Sequence, residues 1–287
     1  MTLRGLVRRS CPSGSWETVA WVPERGARLP GVRKYRGLRL DLARTSSYLV
    51  VPSGVVMVIT LEGSVRLGGV RPGLDLDPGT NEPRVDMIAG LHSKALSVQH
   101  DRNLHAVSVV LEPWAAYGLF NLPMSTLVDT VVGTSDLLGP GAPELVSALR
   151  AAPGWAGRFE ILEAWLARQL AGGQAYAPPV VHAWRELSRA GGAIPVEVLA
   201  SRVGWCRRNL ERRFREQVGL SPKMAARMLR LRRAFRLLRG GHTINEVASR
   251  CRYYDQAHFV NDFKSLAGRT PGEFLSGYPA ASAALVV

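Results

Sequence analysis

Ala200-Ser201-Arg202-Val203-Gly204-Trp205, followed by Leu210, Phe214 and Gly219-Leu220-Ser221-Pro222, is matched later in the chain. The second copy reads Ala248-Ser249-Arg250-Cys251-Arg252-Tyr253, then Phe259, Phe263 and Gly268-Arg269-Thr270-Pro271. The early positions agree at an offset of 48 and the later ones at 49, so the second copy has one extra residue in its turn. Each copy spells a helix, a tight turn and a second helix with two apolar residues one helical turn apart. That is the layout of a helix-turn-helix DNA reader. Two readers on one chain point to a regulator that binds double-stranded DNA.

In the first copy Pro195 is placed to open a helix, and Gly204 can take the positive φ of a tight turn. The next helix, about residues 207–217, turns Leu210 and Phe214 inward. Arg207, Arg208, Glu211, Arg212 and Arg215 then form the outward ridge. An offset of 49 maps that ridge onto Gln256, Ala257, Val260, Asn261 and Lys264. The first ridge is suited to phosphates. The second is nearly uncharged, but glutamine can pair with adenine, and alanine or valine can meet a thymine methyl. Thr243 and Glu246 spell a capping box before the second unit.

Between the units, Ser221-Pro222 starts a helix predicted to reach about Arg239 and stop at Gly240-Gly241. Its length of roughly 26 Å suits a rod holding two readers about one duplex turn, roughly 34 Å, apart. Met224, Met228, Leu231, Phe235 and Leu238 mark a buried stripe, and Arg227, Arg230, Arg232, Arg233, Arg236 and Arg239 read mostly as a solvated face.

Charge follows the repeat. The formal net charge is +14; residues 181–287 hold 19 Lys and Arg against 8 Asp and Glu, and 17 of the 19 are arginine. A surplus so concentrated favours a polyanion partner over a merely solubilising surface. Cys11, Cys206 and Cys251 show no metal-ligand spacing and suggest a reducing compartment. The longest apolar stretch, residues 48–61, is short and broken by Pro52-Ser53-Gly54, so a cytoplasmic protein with no membrane partner is expected.

Residues 1–110 are rich in Gly, Pro and β-branched residues. Strands are expected at 50–51, 55–61, 64–67, 85–88, 95–99 and 106–111, with Gly68-Gly69 and Gly79 as turn glycines. Helices follow at 114–120, 144–150 and 158–170. The expected fold is therefore α+β: an N-terminal β-rich domain (cupin-like barrel or sandwich) with helices, then an all-α double helix-turn-helix domain. The expected boundaries are 1–171 for the sensor or dimerisation domain, 172–180 for a linker, 181–277 for the reader and 278–287 for a frayed tail.

The C-terminal residues resemble the AraC/XylS family of bacterial regulators over about residues 180–275. The likeness rests on the Ala-x-x-x-Gly turn, Leu-x-x-x-Phe with adjacent arginines, Gly-Leu-Ser-Pro, the linking helix, and Tyr253-Tyr254-Asp255-Gln256-Ala257-His258-Phe259 ending in Gly-x-Thr-Pro. The resemblance implies a DNA-binding activator or repressor whose N-terminal domain senses a signal or mediates dimerisation. A small-molecule effector, RNA polymerase and a second copy of the chain are the other expected partners. Two departures stand out: Arg252 where the family usually has glycine, and Asn261 where it often has arginine. Residues 35–170 are weakly similar to a sensor-like domain of some actinobacterial members. That likeness is carried by Val51-Pro52-Ser53-Gly54, Ala89-Gly90-Leu91-His92-Ser93 and Glu112-Pro113-Trp114-Ala115-Ala116.

No catalytic residue, metal site or cofactor is expected. His92, His100 and His105 lack a His-x-His pair and a following carboxylate, and read as isolated core or surface histidines. His258 can contact phosphate or pack in its turn. Some relatives carry an alkyl-accepting cysteine on a multi-cysteine zinc site, but only Cys11 lies outside the reader. Cys206 reads as a small residue at a cap position. The competing function class is a ligand-binding or interaction protein whose basic domain holds DNA without sequence choice.

Overall fold

The computed structural model describes residues 4–11, 14–21, 29–43, 45–51, 54–69 and 83–276. Pro52-Ser53, Gly79, the Cys11 side chain and the expected tail lie outside them. Two antiparallel sheets face each other. The larger has the order β1 (Arg4–Cys11), β2 (Gly14–Trp21), β3 (Val32–Leu42), β9 (Asn103–Leu111), β5 (Val55–Glu62), β7 (Asp86–Ala89), β10 (Val131–Val132). The smaller has the order β4 (Ser46–Val50), β8 (Leu96–His100), β6 (Val65–Gly69). The expected strands from 50 onward are present, but Gly68 and Gly69 end β6 rather than forming a turn.

Period-two alternation explains the layers. On β9, Leu104 and Ala106 face the smaller sheet while Val107, Val109 and Leu111 face the opposite way. On β5, Met57 and Ile59 share the second face, leaving Val58 on the first. A strand buried on both sides needs two covers. One is the smaller sheet. The other is a layer of helices: α1 (Pro113–Phe120), α2 (Thr134–Leu138), α3 (Gly141–Ala151) and α4 (Gly154–Ala171). On α4, Trp155, Phe159, Leu162 and Leu166 recur at helical spacing and pack on the sheet. The Trp155 indole lies across Gly37, where an added Cβ would come within 2.3 Å of the ring, and its Nε1 donates to Glu17 Oε1 at 2.5 Å.

The segment expected as a linker is pinned. The Gln174 amide donates to the Gly118 carbonyl at 3.1 Å and to Asn121 Oδ1 at 2.9 Å, and Gln174 Nε2 donates to the Tyr117 carbonyl at 2.9 Å. Helix α5 (Pro178–Arg189) already begins within it, because proline suits the first helical position; residues 178–180 are helix, not linker. The chain ends in α6 (Val196–Arg202), α7 (Arg207–Val218), α8 (Pro222–Arg239), α9 (Ile244–Arg250), α10 (Gln256–Ala267) and α11 (Pro271–Ser276). Their core, with Trp184, Leu210, Phe214, Phe235, Phe259, Phe263 and Phe274, is continuous with Leu49, Val51, Leu91, Ala95, Trp114 and Ala115 of the N-terminal part.

Candidate nucleic-acid interface

The two copies of the repeat fold alike. Trp205 N donates to the Ala200 carbonyl at 3.0 Å, and Tyr253 N donates to that of Ala248 at 3.0 Å. Gly204 N reaches Ser201 O at 3.1 Å and Arg252 N reaches Ser249 O at 3.0 Å. The left-handed position of each turn is Gly204 at φ 69° and Arg252 at φ 59°. A side chain in that region costs roughly 1–2 kcal/mol, so the second turn keeps the shape of the first and carries strain at Arg252. The extra residue falls just after the second turn. It separates Tyr253 from Asp255, which caps α10 by accepting from His258 N at 2.6 Å, whereas Cys206 caps α7 without a side-chain bond.

On α7, Leu210 and Phe214 are fully buried. Arg207, Arg208, Arg212 and Arg215 are exposed and Glu211 is half-buried. Arg207 is engaged by Glu197 at 2.6 Å and Glu211 at 2.8 Å, and Arg212 donates to Asn209 at 3.1 Å. Arg208 and Arg215 carry no ion pair among the described residues. Arg208, Glu211, Arg212 and Arg215 border one open groove of about 400 Å³, whose far wall includes Pro123 and Ser125.

On α10, Phe259 and Phe263 are buried, and Gln256, Ala257, Asn261 and Lys264 are exposed. Val260 is half-buried against the core, so it presents less of itself to solvent than the ridge pattern suggests. His258 sets its ring edge-on to Tyr253 at 5.3 Å, the turn-packing alternative of the sequence reading.

The arginines of α8 correct an expectation. Arg227 pairs with the largely buried Asp262 at 2.5 Å, and Tyr253 Oη donates to the same carboxylate at 2.9 Å. Arg230 lies over the Tyr253 ring at 5.6 Å. Arg232 is partly buried and lines a cavity. These three are structural contacts rather than a solvated face, because α8 is packed on more than one side. Asp262, flanked by two ridge and core positions, had no spacing signal to single it out.

That cavity, of about 200 Å³, lies between the two sheets. Leu38, Val56, Val58, Leu96 and Val98 line its apolar part, while Arg33, Lys34 and Arg36 of β3 meet Arg232 of α8 at one end. Burial, and then Arg36, Arg232 and Arg33, push the Lys34 ammonium down to about 7. Burial, then Arg33 and Arg236, lower Arg232 to about 10. Glu112, which pairs with Arg33 at 3.6 Å, supports Arg232 from outside the cavity lining. Sequence reading gave no hint of this site, since its cations sit on a strand and a helix about 200 residues apart.

Among the described residues no three metal-ligating side chains converge, and no helix is long and apolar enough to cross a membrane. His92 and His100 are buried and His105 accepts from Arg158 Nη1 at 3.1 Å; burial lowers the pKa of all three.

A family model described as a helix-turn-helix domain matches residues 199–277. The HTH-type transcriptional activator RhaR of Yersinia pseudotuberculosis is 40% identical over 68 residues, covering 23% of this chain and 23% of RhaR. The chain therefore matches about a quarter of the length of its curated relatives. Among solved structures, the DNA-binding domain of AdpA, a global transcriptional factor crystallised with a target DNA, is similar at 28% identity. That match covers 37% of this chain and 96% of that one, with a TM-score of 0.34. ToxT from Vibrio cholerae is similar over 88% of this chain and 100% of its own, at 11% identity and a TM-score of 0.45. With the duplicated turn and the buried apolar pairs of α7 and α10 beside this match, the C-terminal part of the chain is similar to the helix-turn-helix domains of DNA-binding transcription regulators.

Proposed function

We propose that this chain is a sequence-specific DNA-binding transcription regulator whose two helix-turn-helix units occupy successive major-groove segments. Residues 181–277 serve as the reader and residues 1–171 as the sensing or pairing part. The observation that carries the reading is the duplicated unit itself, with a polar ridge on each of α7 and α10 and one helix, α8, joining them. Arg208, Arg212 and Arg215 supply phosphate attraction, and Gln256, Ala257 and Asn261 meet base edges. Selection from a randomised duplex pool tests it. The expected result is a two-part motif, its parts about 10 bp apart, that survives excess random duplex. Binding with no enriched motif would instead favour the non-specific DNA-holding class.

The effector of this regulator is a small amphipathic anion held in the cavity between the sheets. A cluster of cations at one end of an apolar hole fits a carboxylate or phosphate on an apolar body. Arg232 belongs to the reader, so occupancy touches both halves. Calorimetric titration with a medium-chain carboxylate against the alcohol of equal length tests this. The carboxylate should bind and the alcohol should not, and Arg232→Ala should weaken the carboxylate. Equal binding of the two, or none of either, would contradict it.

A further inference from the structure

The second reader has an almost uncharged ridge, yet the turn that leads into it carries two features the first turn lacks. The left-handed position is Arg252 rather than glycine, at φ 59°. A non-glycine residue there is held at a cost, and the cost calls for a compensating role. Its side chain is exposed, and its guanidinium has no partner among the described residues. Two positions on stands Tyr254, 92% exposed, the inserted residue of the second copy. A large aromatic side chain left this open, directly before a recognition helix, gains nothing from the protein's own core. Its neighbour Tyr253 shows the contrast, being buried and fixed by Asp262 and Arg230.

We propose that Arg252 and Tyr254 form a backbone clamp that seats the second reader on DNA. This rests on the DNA-binding reading above. When the first half of a recognition helix enters the major groove, the turn preceding it comes to the lip of that groove, beside one sugar-phosphate strand. There the Arg252 guanidinium pairs with a phosphate and the Tyr254 hydroxyl donates to an adjacent phosphate of the same strand. The clamp adds, at the edge of α10, attraction to a ridge of Gln256, Ala257, Val260, Asn261 and Lys264 that holds a single cation. In the first unit Arg208, Arg212 and Arg215 do this from the ridge itself, and Gly204 suffices in the turn. The two features of this turn are thus one device: a strained arginine and an inserted tyrosine that position, without reading bases.

The test uses the full chain and a duplex recovered by selection, with wild type, Arg252→Gly, Tyr254→Ala and Tyr254→Phe measured over a salt series. Tyr254→Ala should weaken binding by about tenfold, by the same factor on the selected duplex and on each single-base variant. Tyr254→Phe should lose nearly as much, because the hydroxyl makes the contact. Arg252→Gly should weaken binding and flatten the log–log salt slope by about 0.9, while raising the melting temperature through relief of the left-handed strain. A purely structural role predicts the opposite pairing, in which the more stable variant binds as well or better. Wild-type affinity and salt slope in Arg252→Gly and Tyr254→Ala would overturn the clamp while leaving the DNA-binding reading intact. A wild-type chain that prefers no duplex sequence would overturn that reading, and the clamp with it.

Discussion

Asp262 accepts from both Arg227 and Tyr253 Oη and is itself nearly out of solvent. It ties α8 to α10 and fixes the aromatic residue of the second turn. Removing the carboxylate leaves a cation and a hydroxyl without their acceptor. Asp262→Ala should therefore lower stability by about 2–3 kcal/mol, read as a shift in urea midpoint; a change below about 0.5 kcal/mol, the size of an ordinary surface substitution, would contradict the assignment. Lys34 gives a pH-dependent counterpart. Its folded value of about 7 lies below the ordinary lysine value of 10.5. The unfolded chain then holds more protons between those two values, so stability rises with pH across that window. Lys34→Met removes the penalty of burying the charge. The variant should melt above wild type near pH 7, and the gap should narrow as the pH is raised towards 10. A gap independent of pH would contradict the buried cation cluster.

At the scale of elements, the helices of the repeat were legible because the pattern that marks them is local. Capping residues, turn glycines and apolar pairs one turn apart all lie within a dozen positions. α8 was legible in extent but not in surroundings. Arg227 and Arg230 find partners 35 and 23 positions away, and Arg232 meets the like charges of β3 about 200 positions away, through contacts that no periodicity encodes. β3 was missed for a related reason. Its Lys34 and Arg36 face a cavity that only the fold creates, so the strand carries charges where alternation calls for apolar residues. The recognition helices should differ in what they contribute. Arg212→Ala on α7 should weaken binding to any duplex and reduce the salt slope by about 0.9. Gln256→Ala on α10 should leave that slope alone and relax preference at one or two base pairs, costing roughly 1–3 kcal/mol on the selected duplex. Base preference unchanged in Gln256→Ala would remove the reading role of the second unit.

At the scale of the molecule, the N-terminal sheets and the reader share one core and several hydrogen bonds. Trp184 Nε1 donates to Glu112 at 2.5 Å, Tyr117 Oη to Glu216 at 3.2 Å, the Ala177 amide to Gln217 at 2.9 Å, and the Ala95 amide to the Leu266 carbonyl at 2.8 Å. The stretches that carried the N-terminal resemblance gather here: Val51, Leu91, Trp114 and Ala115 all pack into the reader's core. Sequence reading found those stretches and did not see that they formed a seam, because a seam is a property of two distant surfaces together. Both readers are touched by it. The first meets the 3-10 turn Met124–Leu127, where a Cβ on Gly219 would come 2.9 Å from the Met124 carbonyl. The second meets Ala95. With both units packed on the same N-terminal part, the proposed binding is that of a pair with fixed spacing rather than of two independent binders. Hydroxyl-radical footprinting of the full chain on a selected duplex tests that directly. Two protected patches on one face of the helix, centred about 10 bp apart, are expected; one patch, or even protection along the whole duplex, would contradict the account.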